Sequence, residues 1–261
     1  MATHLTPSGI QINRLPEVTL DFWIITFLAV ALGEPAADYL AANMELGLTA
    51  TSAIMTIVLI VILFQQLSKH KYVPWSYWSS VVLVSIVGTL VTDNLIDNLG
   101  VPIVTFTIVL FLALTATFII WIATEGSLSI HKVFTTRREA FYWLAIMITS
   151  AVGVAVGDLV AENFDLGYYH TSILFGLIIT SLTFGYWFMK LNPVLGFWLV
   201  YVFTRPLGAP FGDLLSQPRE RGGLDLGTTI TSVILLCMIA LLVLYMTFTH
   251  DGEDAVVAKG A

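Results

Sequence analysis

The chain has 261 residues, of which 57% are hydrophobic and only 11% are charged, and its formal net charge is −7. A soluble domain needs about 25% charged residues to cover its surface, so this composition excludes a soluble globular fold. Lys and Arg are few and almost all lie in predicted loops, which argues against a nucleic-acid-binding surface. The single cysteine, Cys237, excludes an intrachain disulfide framework.

Eight apolar segments follow one another along the chain, and each is long enough to cross a hydrocarbon core of about 30 Å as a helix of about 20 residues. In chain order they are 18–43, 49–67, 75–98, 101–123, 139–163, 169–190, 194–216 and 227–249. A β-barrel would show segments of about ten residues with alternating polarity, which these are not. The sequence therefore predicts an all-α integral membrane protein with eight transmembrane helices.

An internal repeat divides these helices into four pairs. A tryptophan, a glycine ten residues later and an aspartate five residues after that recur without insertion or deletion. The four sets are Trp23, Gly33 and Asp38; Trp78, Gly88 and Asp93; Trp143, Gly153 and Asp158; and Trp198, Gly208 and Asp213. A Leu-Gly pair follows in each copy, at 46–47, 99–100, 166–167 and 226–227.

The repeat predicts the domain organisation. A single transmembrane domain, 18–249, contains units 18–72, 73–127, 138–192 and 193–249; residues 1–17 form a cytoplasmic segment and 250–261 a polar cytoplasmic tail. Because each unit has an even number of helices, all four enter the membrane in the same direction. We therefore expect parallel two-helix repeats in a pseudo-fourfold bundle of two halves with two units each.

The loop charges predict the orientation. Eight basic residues lie on the side of the termini, and only Arg219 and Arg221 lie on the other side. By the positive-inside rule both termini are cytoplasmic. All seven tryptophans lie near the cytoplasmic ends of their helices, where an interfacial aromatic belt accounts for them. The repeated aspartates, about 22 Å further along each helix, then lie toward the outer face.

The repeated glycines predict close helix packing. Gly33, Gly88, Gly153 and Gly208 are each followed four residues later by a small or short residue. This spacing allows membrane helices to approach closely.

The repeated aspartates predict a cation path. A carboxylate inside a membrane costs about 2.5–3.5 kcal/mol and usually faces the bundle interior or water. Three of the four have an acidic neighbour one turn away on the same helix face. The pairs are Glu34 and Asp38, Asp93 and Asp97, and Asp158 and Glu162, with Asp213 and Gln217 in the fourth unit. Clustered carboxylate oxygens suit a hard cation such as Mg²⁺, Ca²⁺ or Mn²⁺, and acidic rings select cations. Asp38, Asp93, Asp158 and Asp213 are therefore candidate metal ligands.

Arg205 is the only basic residue well inside a span, and its repeat counterparts are Val30, Ser85 and Ser150. An intramembrane arginine needs a partner. Glu34 is the one unique acid at a comparable depth, so we expect a Glu34–Arg205 ion pair that acts as a structural clasp or a gate. If Arg205 instead faces the axis without an acidic partner, an anionic substrate is favoured.

Several segments resemble a bacterial family of multi-pass membrane proteins that is labelled only as uncharacterised or membrane-anchored. They are residues 16–25 (PEVTLDFWII), 33–38 (GEPAAD), 141–143 (FYW), 157–158 (GD) and 204–209 (TRPLGA). The resemblance covers nearly the whole chain and implies a bacterial inner-membrane protein without an assigned activity. The family pattern has threonine where this chain has Pro35, which implies a kink in the first helix.

These observations lead to one functional expectation and one alternative. We expect a transporter or channel-like exporter of a small cation, and we name Mn²⁺ first among the divalent metals as its substrate; the sequence assigns no cofactor. The alternative is a structural or assembly subunit whose aspartates serve helix packing. No nucleophile–base pair or cofactor constellation is visible in the sequence, so we do not expect an enzyme.

Overall fold

The computed structural model describes residues 13–43 and 46–259, with side chains described up to Thr249. The first twelve residues of the predicted amino-terminal segment, and the last two of the tail, lie outside the described residues. The described chain forms eight α-helices, all long and apolar enough to cross a membrane. They are α1 (Leu20–Asn43), α2 (Gly47–Leu67), α3 (Pro74–Asp93), α4 (Ile103–Glu125), α5 (Thr136–Asp158), α6 (Gly167–Met189), α7 (Pro193–Ser216) and α8 (Thr228–Lys259). The prediction of an all-α membrane protein with eight spanning helices is confirmed.

The first helix of each unit belongs to an inner ring. Helix α1 packs against α3, α3 against α5, α5 against α7, and α7 against α1, so the four odd-numbered helices close a circle. Helix α1 runs through Pro35 as one continuous helix. In this ring α3 lies opposite α7, and α1 lies opposite α5.

The second helix of each unit packs outside the ring on the inner helix of the next unit. Helix α2 packs on α3, α4 on α5, α6 on α7, and α8 on α1. Most residues of these outer helices face away from the protein, as lipid-facing helices do. The outer helix of each unit therefore covers the inner helix of the next unit, and the four units form an interlocked pseudo-fourfold bundle.

The repeated glycines lie where neighbouring inner helices touch. A Cβ atom added to Gly33 would come within 3.2 Å of the carbonyl oxygen of Ser85, and one at Gly88 within 2.6 Å of Ser150 Oγ. One added to Gly153 would overlap with Arg205 Cβ. In each case the glycine faces the residue three positions before the glycine of the next unit. The small side chains allow the helix approach that closes the ring.

The glycines of the Leu-Gly pairs have a different role. Gly47, Gly100, Gly167 and Gly227 adopt φ values of 75°, 68°, 75° and 75°, and nothing lies within 4 Å of a Cβ at any of them. Glycine is needed at these turns for its left-handed backbone and not for space. A glycine with a left-handed backbone therefore lies at or just before the start of the outer helix in all four units.

The opposite end of the ring, formed by the amino-terminal ends of the inner helices, is filled by aromatic side chains. Trp78, Trp121, Trp143 and Trp198 are at most 5% exposed. The prediction of an interfacial belt is therefore wrong for these four, because their rings fill the space between helices. Three of the four indoles donate hydrogen bonds to acceptors; the Trp198 indole, for example, donates to the carbonyl oxygen of Leu128 at 3.0 Å. The buried Trp121 Nε1 has no partner among the described residues.

A buried ion pair anchors the amino-terminal segment at this aromatic end. Arg14 Nη1 lies 3.1 Å from Glu139 Oε2, and the side chains are 8% and 0% exposed. Glu139 also accepts a hydrogen bond from Gln66 Nε2 at 3.1 Å, and Arg14 donates to Thr136 Oγ1 at 3.0 Å. The pair joins the segment before α1 to α2 and α5.

Candidate functional site

The four repeated aspartates come together at the carboxyl-terminal ends of the inner helices, which we call the acidic end. They line one cavity of about 430 Å³. The cavity also contains the other three predicted acids, so all seven carboxylates share it. These seven are Glu34, Asp38, Asp93, Asp97, Asp158, Glu162 and Asp213. Since the helices are related by the repeat, equal positions along them produce one ring of carboxylates.

Two of the inner helices end in a π-helical turn that carries a further acid toward the cavity. The turns span Asn94–Asn98 after α3 and Leu159–Asn163 after α5, and they contain Asp97 and Glu162. Such turns frequently occur at functional sites. The Tyr168 hydroxyl of α6 donates to Glu162 Oε1 at 2.7 Å and fixes that carboxylate.

Few protein groups satisfy the carboxylates of the ring. Gln217 Nε2 donates to Asp38 Oδ2 at 3.1 Å and to Asp213 Oδ1 at 3.5 Å. Asp93 and Asp158 are half-buried and have no hydrogen-bond partner within the described part of the chain. None of the seven acids forms an ion pair with any base that the structure describes. The cavity therefore holds carboxylate oxygens that are free to accept a ligand.

The aspartates do not form a preassembled metal site. Among the residues described, no group of three or more His, Cys, Asp or Glu side chains is placed to hold one metal ion. In this conformation Asp38, Asp93, Asp158 and Asp213 are not gathered around one metal position, and their role as metal ligands stays a prediction. Each comes from a different helix, and the cavity between them has room for several waters of about 30 Å³ each.

Glu34 lies deeper than the aspartate ring. It is 7% exposed, and its Oε1 accepts a hydrogen bond from Thr89 Oγ1 at 3.1 Å. Both residues directly follow a repeat glycine, so they occupy the same layer of adjacent inner helices. The sequence did not identify Thr89 as a site residue, although it directly follows the repeat glycine Gly88, as Glu34 follows Gly33. This layer forms the floor of the cavity.

The predicted Glu34–Arg205 ion pair is wrong. No such pair is present within 4.0 Å among the described residues. Arg205 Nη1 instead donates to Ser85 Oγ at 2.9 Å and to Ser150 Oγ at 3.4 Å, and Nη2 donates to Tyr201 Oη at 2.8 Å. Side chains on a helix lean toward its amino terminus, so the Arg205 side chain extends toward Tyr201. Tyr201 lies one helical turn further from the acidic end than Arg205 does.

The chemistry of the cavity favours positively charged ligands. Seven carboxylates around one water-accessible space create a negative field that low-dielectric walls concentrate. Such acidic rings are used to select cations. A hydrated cation needs no preassembled set of ligands, because its own water molecules bridge to the carboxylates.

Comparison with known proteins identifies the family of the repeat. A family model described as a repeat of unknown function matches four successive parts of the chain, residues 22–72, 76–127, 141–191 and 196–251. These four matches cover well over half of the chain and correspond to the four two-helix units. No curated protein and no solved structure matches the chain. The chain is therefore a member of the family described as Repeat of Unknown Function (DUF347), with four copies of the repeat.

Proposed function

We propose that the protein is a transporter or channel-like exporter of a small cation and that the acid-lined cavity is part of its path. The observation that carries this proposal is that Asp38, Asp93, Asp158 and Asp213 converge on one cavity with three further carboxylates. Acids that served only helix packing would be partnered at separate helix contacts. Asp93 and Asp158 have no such partner within the described residues, although burying carboxylates in a membrane is costly.

The proposed setting is a bacterial inner membrane with both termini in the cytoplasm. The excess of basic residues in the loops on the side of the termini supports this orientation. The acidic end then faces the periplasm, where the cavity would receive incoming ions or release outgoing ones.

The proposed substrate is a hydrated divalent cation, and Mn²⁺ is the first to test. Carboxylate oxygens suit Mg²⁺, Ca²⁺ and Mn²⁺. The carboxylates lie around a cavity with room for several waters, which favours an ion that keeps part of its water shell, since no three His, Cys, Asp or Glu side chains among those described form a ligand set.

Arg205 raises the alternative of an anionic substrate, because it has no carboxylate partner among the described residues. However, its side chain is fully buried and does not line the cavity. An anion that approached it from the acidic end would first have to pass seven carboxylates. A cation is therefore favoured over an anion.

Ion flux into proteoliposomes tests the proposal. Purified protein is screened with H⁺, K⁺, Mg²⁺, Ca²⁺, Mn²⁺ and Cl⁻, and the variant with all four ring aspartates changed to asparagine is compared with wild type. We expect cation flux in wild type and its loss in the variant. No flux of any ion, with both proteins equally stable, would move the assignment to a structural or assembly subunit. Equal cation flux in both proteins would show that the path does not use the ring aspartates.

A matched control removes two acids from the same end of the bundle without touching the cavity. Asp165 and Asp225 occupy equivalent positions before the Leu-Gly pairs, are exposed, and have φ values of 56° and 63°. Asparagine tolerates this left-handed conformation well. The Asp165→Asn and Asp225→Asn double variant should therefore fold normally and retain wild-type flux.

A further inference from the structure

Arg205 crosses the axis of the inner ring. It belongs to α7, and its Nη1 donates to Ser85 on α3, the helix on the opposite side of the ring. The same nitrogen reaches Ser150 on α5. A side chain that joins two opposite helices of a four-helix ring must lie across the centre of that ring.

The guanidinium lies directly beyond the floor of the acidic cavity. Arg205 is three residues before its repeat glycine, whereas Glu34 is one residue after its own. The four-residue difference corresponds to about 6 Å along the helices. Arg205 is 0% exposed and is not among the residues that line the cavity.

Polar groups continue on the other side of Arg205. Its Nη2 donates to Tyr201, and the Tyr201 ring lies 5.2 Å from the guanidinium carbon. One helical turn further toward the aromatic end, the hydroxyls of Tyr77 and Tyr142 form a hydrogen bond with each other. A column of hydroxyl groups thus extends from the cavity floor toward the aromatic end and is interrupted by one positive charge.

The partners of Arg205 are neutral, and they do not satisfy it fully. Serine and tyrosine hydroxyls accept from its terminal nitrogens, while the buried Nε has no partner among the described residues. A buried charge of the same sign strongly repels a second cation in a low-dielectric interior. The repeat counterparts of Arg205 carry no charge, so the obstruction comes from this single residue.

We propose that the Arg205 guanidinium is a tethered cation that closes the axis below the acidic cavity, and that a cation passes only when the guanidinium leaves Ser85 and Ser150. This inference rests on the proposed function for the identity of the passing ion. The closure itself does not depend on it and is tested separately.

Cysteine accessibility tests the closure. Cys237 is exposed and is first changed to serine. The probe position is Thr26, which is changed to cysteine (Thr26→Cys). Thr26 is the repeat counterpart of Tyr201 and is 1% exposed. Its hydroxyl has no partner in the described part of the chain. Asn163→Cys, which lines the cavity, shows that the reagent reaches the acidic end.

The rate of modification by a positively charged thiol reagent, added from the acidic end, is compared with and without Arg205→Ser. We expect the thiol introduced by Thr26→Cys to react at least about tenfold faster in the Arg205→Ser variant. Removing one buried unit charge lowers the free-energy barrier for a cationic reagent by more than the amount that corresponds to a tenfold change in rate. Arg219→Ser, which removes an exposed arginine, should leave the rate unchanged. Equal rates with and without Arg205→Ser, at equal thermal stability, would overturn the closure.

If Arg205→Ser does not fold, the double variant Ser85→Ala and Ser150→Ala replaces it. This variant keeps the charge and removes two of its acceptors, so the guanidinium is held less firmly. We expect faster modification of the introduced thiol than in the protein with both serines, and an unchanged rate would again overturn the proposal.

Ion flux then separates the closure from the proposed function. If cations are the substrate, Arg205→Ser should raise cation flux at least about tenfold over wild type. Wild-type flux that depends on the aspartates but does not rise in Arg205→Ser overturns the closure and leaves the cation path in place. Faster modification of the introduced thiol without any cation flux supports the closure and overturns the cation path.

Discussion

Gly208 of α7 lies against Val30 of α1, so the last unit packs on the first. A Cβ atom added to Gly208 would come within 2.6 Å of Val30 Cγ1. The same relationship joins Gly33 to Ser85 in the neighbouring contact of the ring. A chain of four linear repeats thus becomes a closed ring through one kind of glycine contact. The consequences for stability and transport can be tested with single substitutions.

The glycine contacts should differ in their tolerance of alanine. Gly153→Ala places a Cβ in overlap with Arg205 Cβ and 3.0 Å from its backbone, whereas Gly33→Ala leaves 3.2 Å to the Ser85 oxygen. We expect Gly153→Ala to lower the free energy of unfolding by about 1–3 kcal/mol, the typical cost of overpacking, and Gly33→Ala to cost less. Thermal unfolding in detergent measures both. Gly176→Ala, whose nearest contact is 3.9 Å, is the control that should change little.

The buried Arg14–Glu139 pair should contribute to stability mainly through the cost of breaking it. Arg14→Ala leaves the fully buried Glu139 carboxylate without its charge partner, and we expect a loss of about 3–5 kcal/mol in the free energy of unfolding. The double variant Arg14→Met and Glu139→Leu should recover much of this loss, because it leaves no buried charge unpaired.

The Arg137–Glu125 pair, in which Glu125 also pairs with Arg138, is the control for this experiment. The Arg137 side chain is 52% exposed, so Arg137→Ala should cost less than about 1 kcal/mol. Chemical or thermal unfolding curves for wild type and the three variants measure these losses in the free energy of unfolding. A double variant that is no more stable than Arg14→Ala would contradict the explanation.

Gln217→Glu should make the stability of the protein depend on cations. The substitution replaces an amide that donates to Asp38 and Asp213 with a carboxylate that repels both. We expect a loss of about 1–3 kcal/mol without divalent ions, from the lost hydrogen bonds to charged groups. A cation that binds the folded cavity should then restore stability by mass action.

Thermal midpoints with and without millimolar Mn²⁺ measure this linkage. Gln65→Glu adds the same charge at an exposed position of α2, away from the cavity, and should respond little. An unchanged midpoint of Gln217→Glu on addition of Mn²⁺, Mg²⁺ and Ca²⁺ would count against a divalent cation as ligand.

Glu34→Gln should reduce cation flux without unfolding the protein. The glutamine oxygen can still accept the hydrogen bond from Thr89, so the cavity floor keeps its shape. The lost charge lies at the deepest point of the cavity, and we expect flux to fall at least about tenfold. A hydrogen bond to a charged group contributes more free energy than the amount that corresponds to a tenfold change in rate. Glu220→Gln, in an exposed turn at the same end, is the matched control. Flux assays and thermal midpoints together distinguish lost transport from lost folding.

The sequence by itself was sufficient for the eight helices and the four units. Trp, Gly and Asp recur at constant spacing, and the rise per residue of a helix converts that spacing into equal depth. For this reason the repeat alone assigns Asp38, Asp93, Asp158 and Asp213 to one level of the bundle. The repeated Leu-Gly pairs belong to the same pattern, but only the structure shows that their glycines have a left-handed backbone.

Only the tertiary structure decided what lies around each residue at a given depth. The partner of Arg205 was expected to be Glu34, but the side chain extends toward Tyr201 and across the ring to Ser85. Trp143 was expected at the membrane interface and is instead buried between helices. Spacing along a helix determines depth, whereas rotation about the helix axis and the choice of neighbour depend on packing between units that are distant in the chain. The convergence of the seven carboxylates on one cavity is therefore a property of the closed ring.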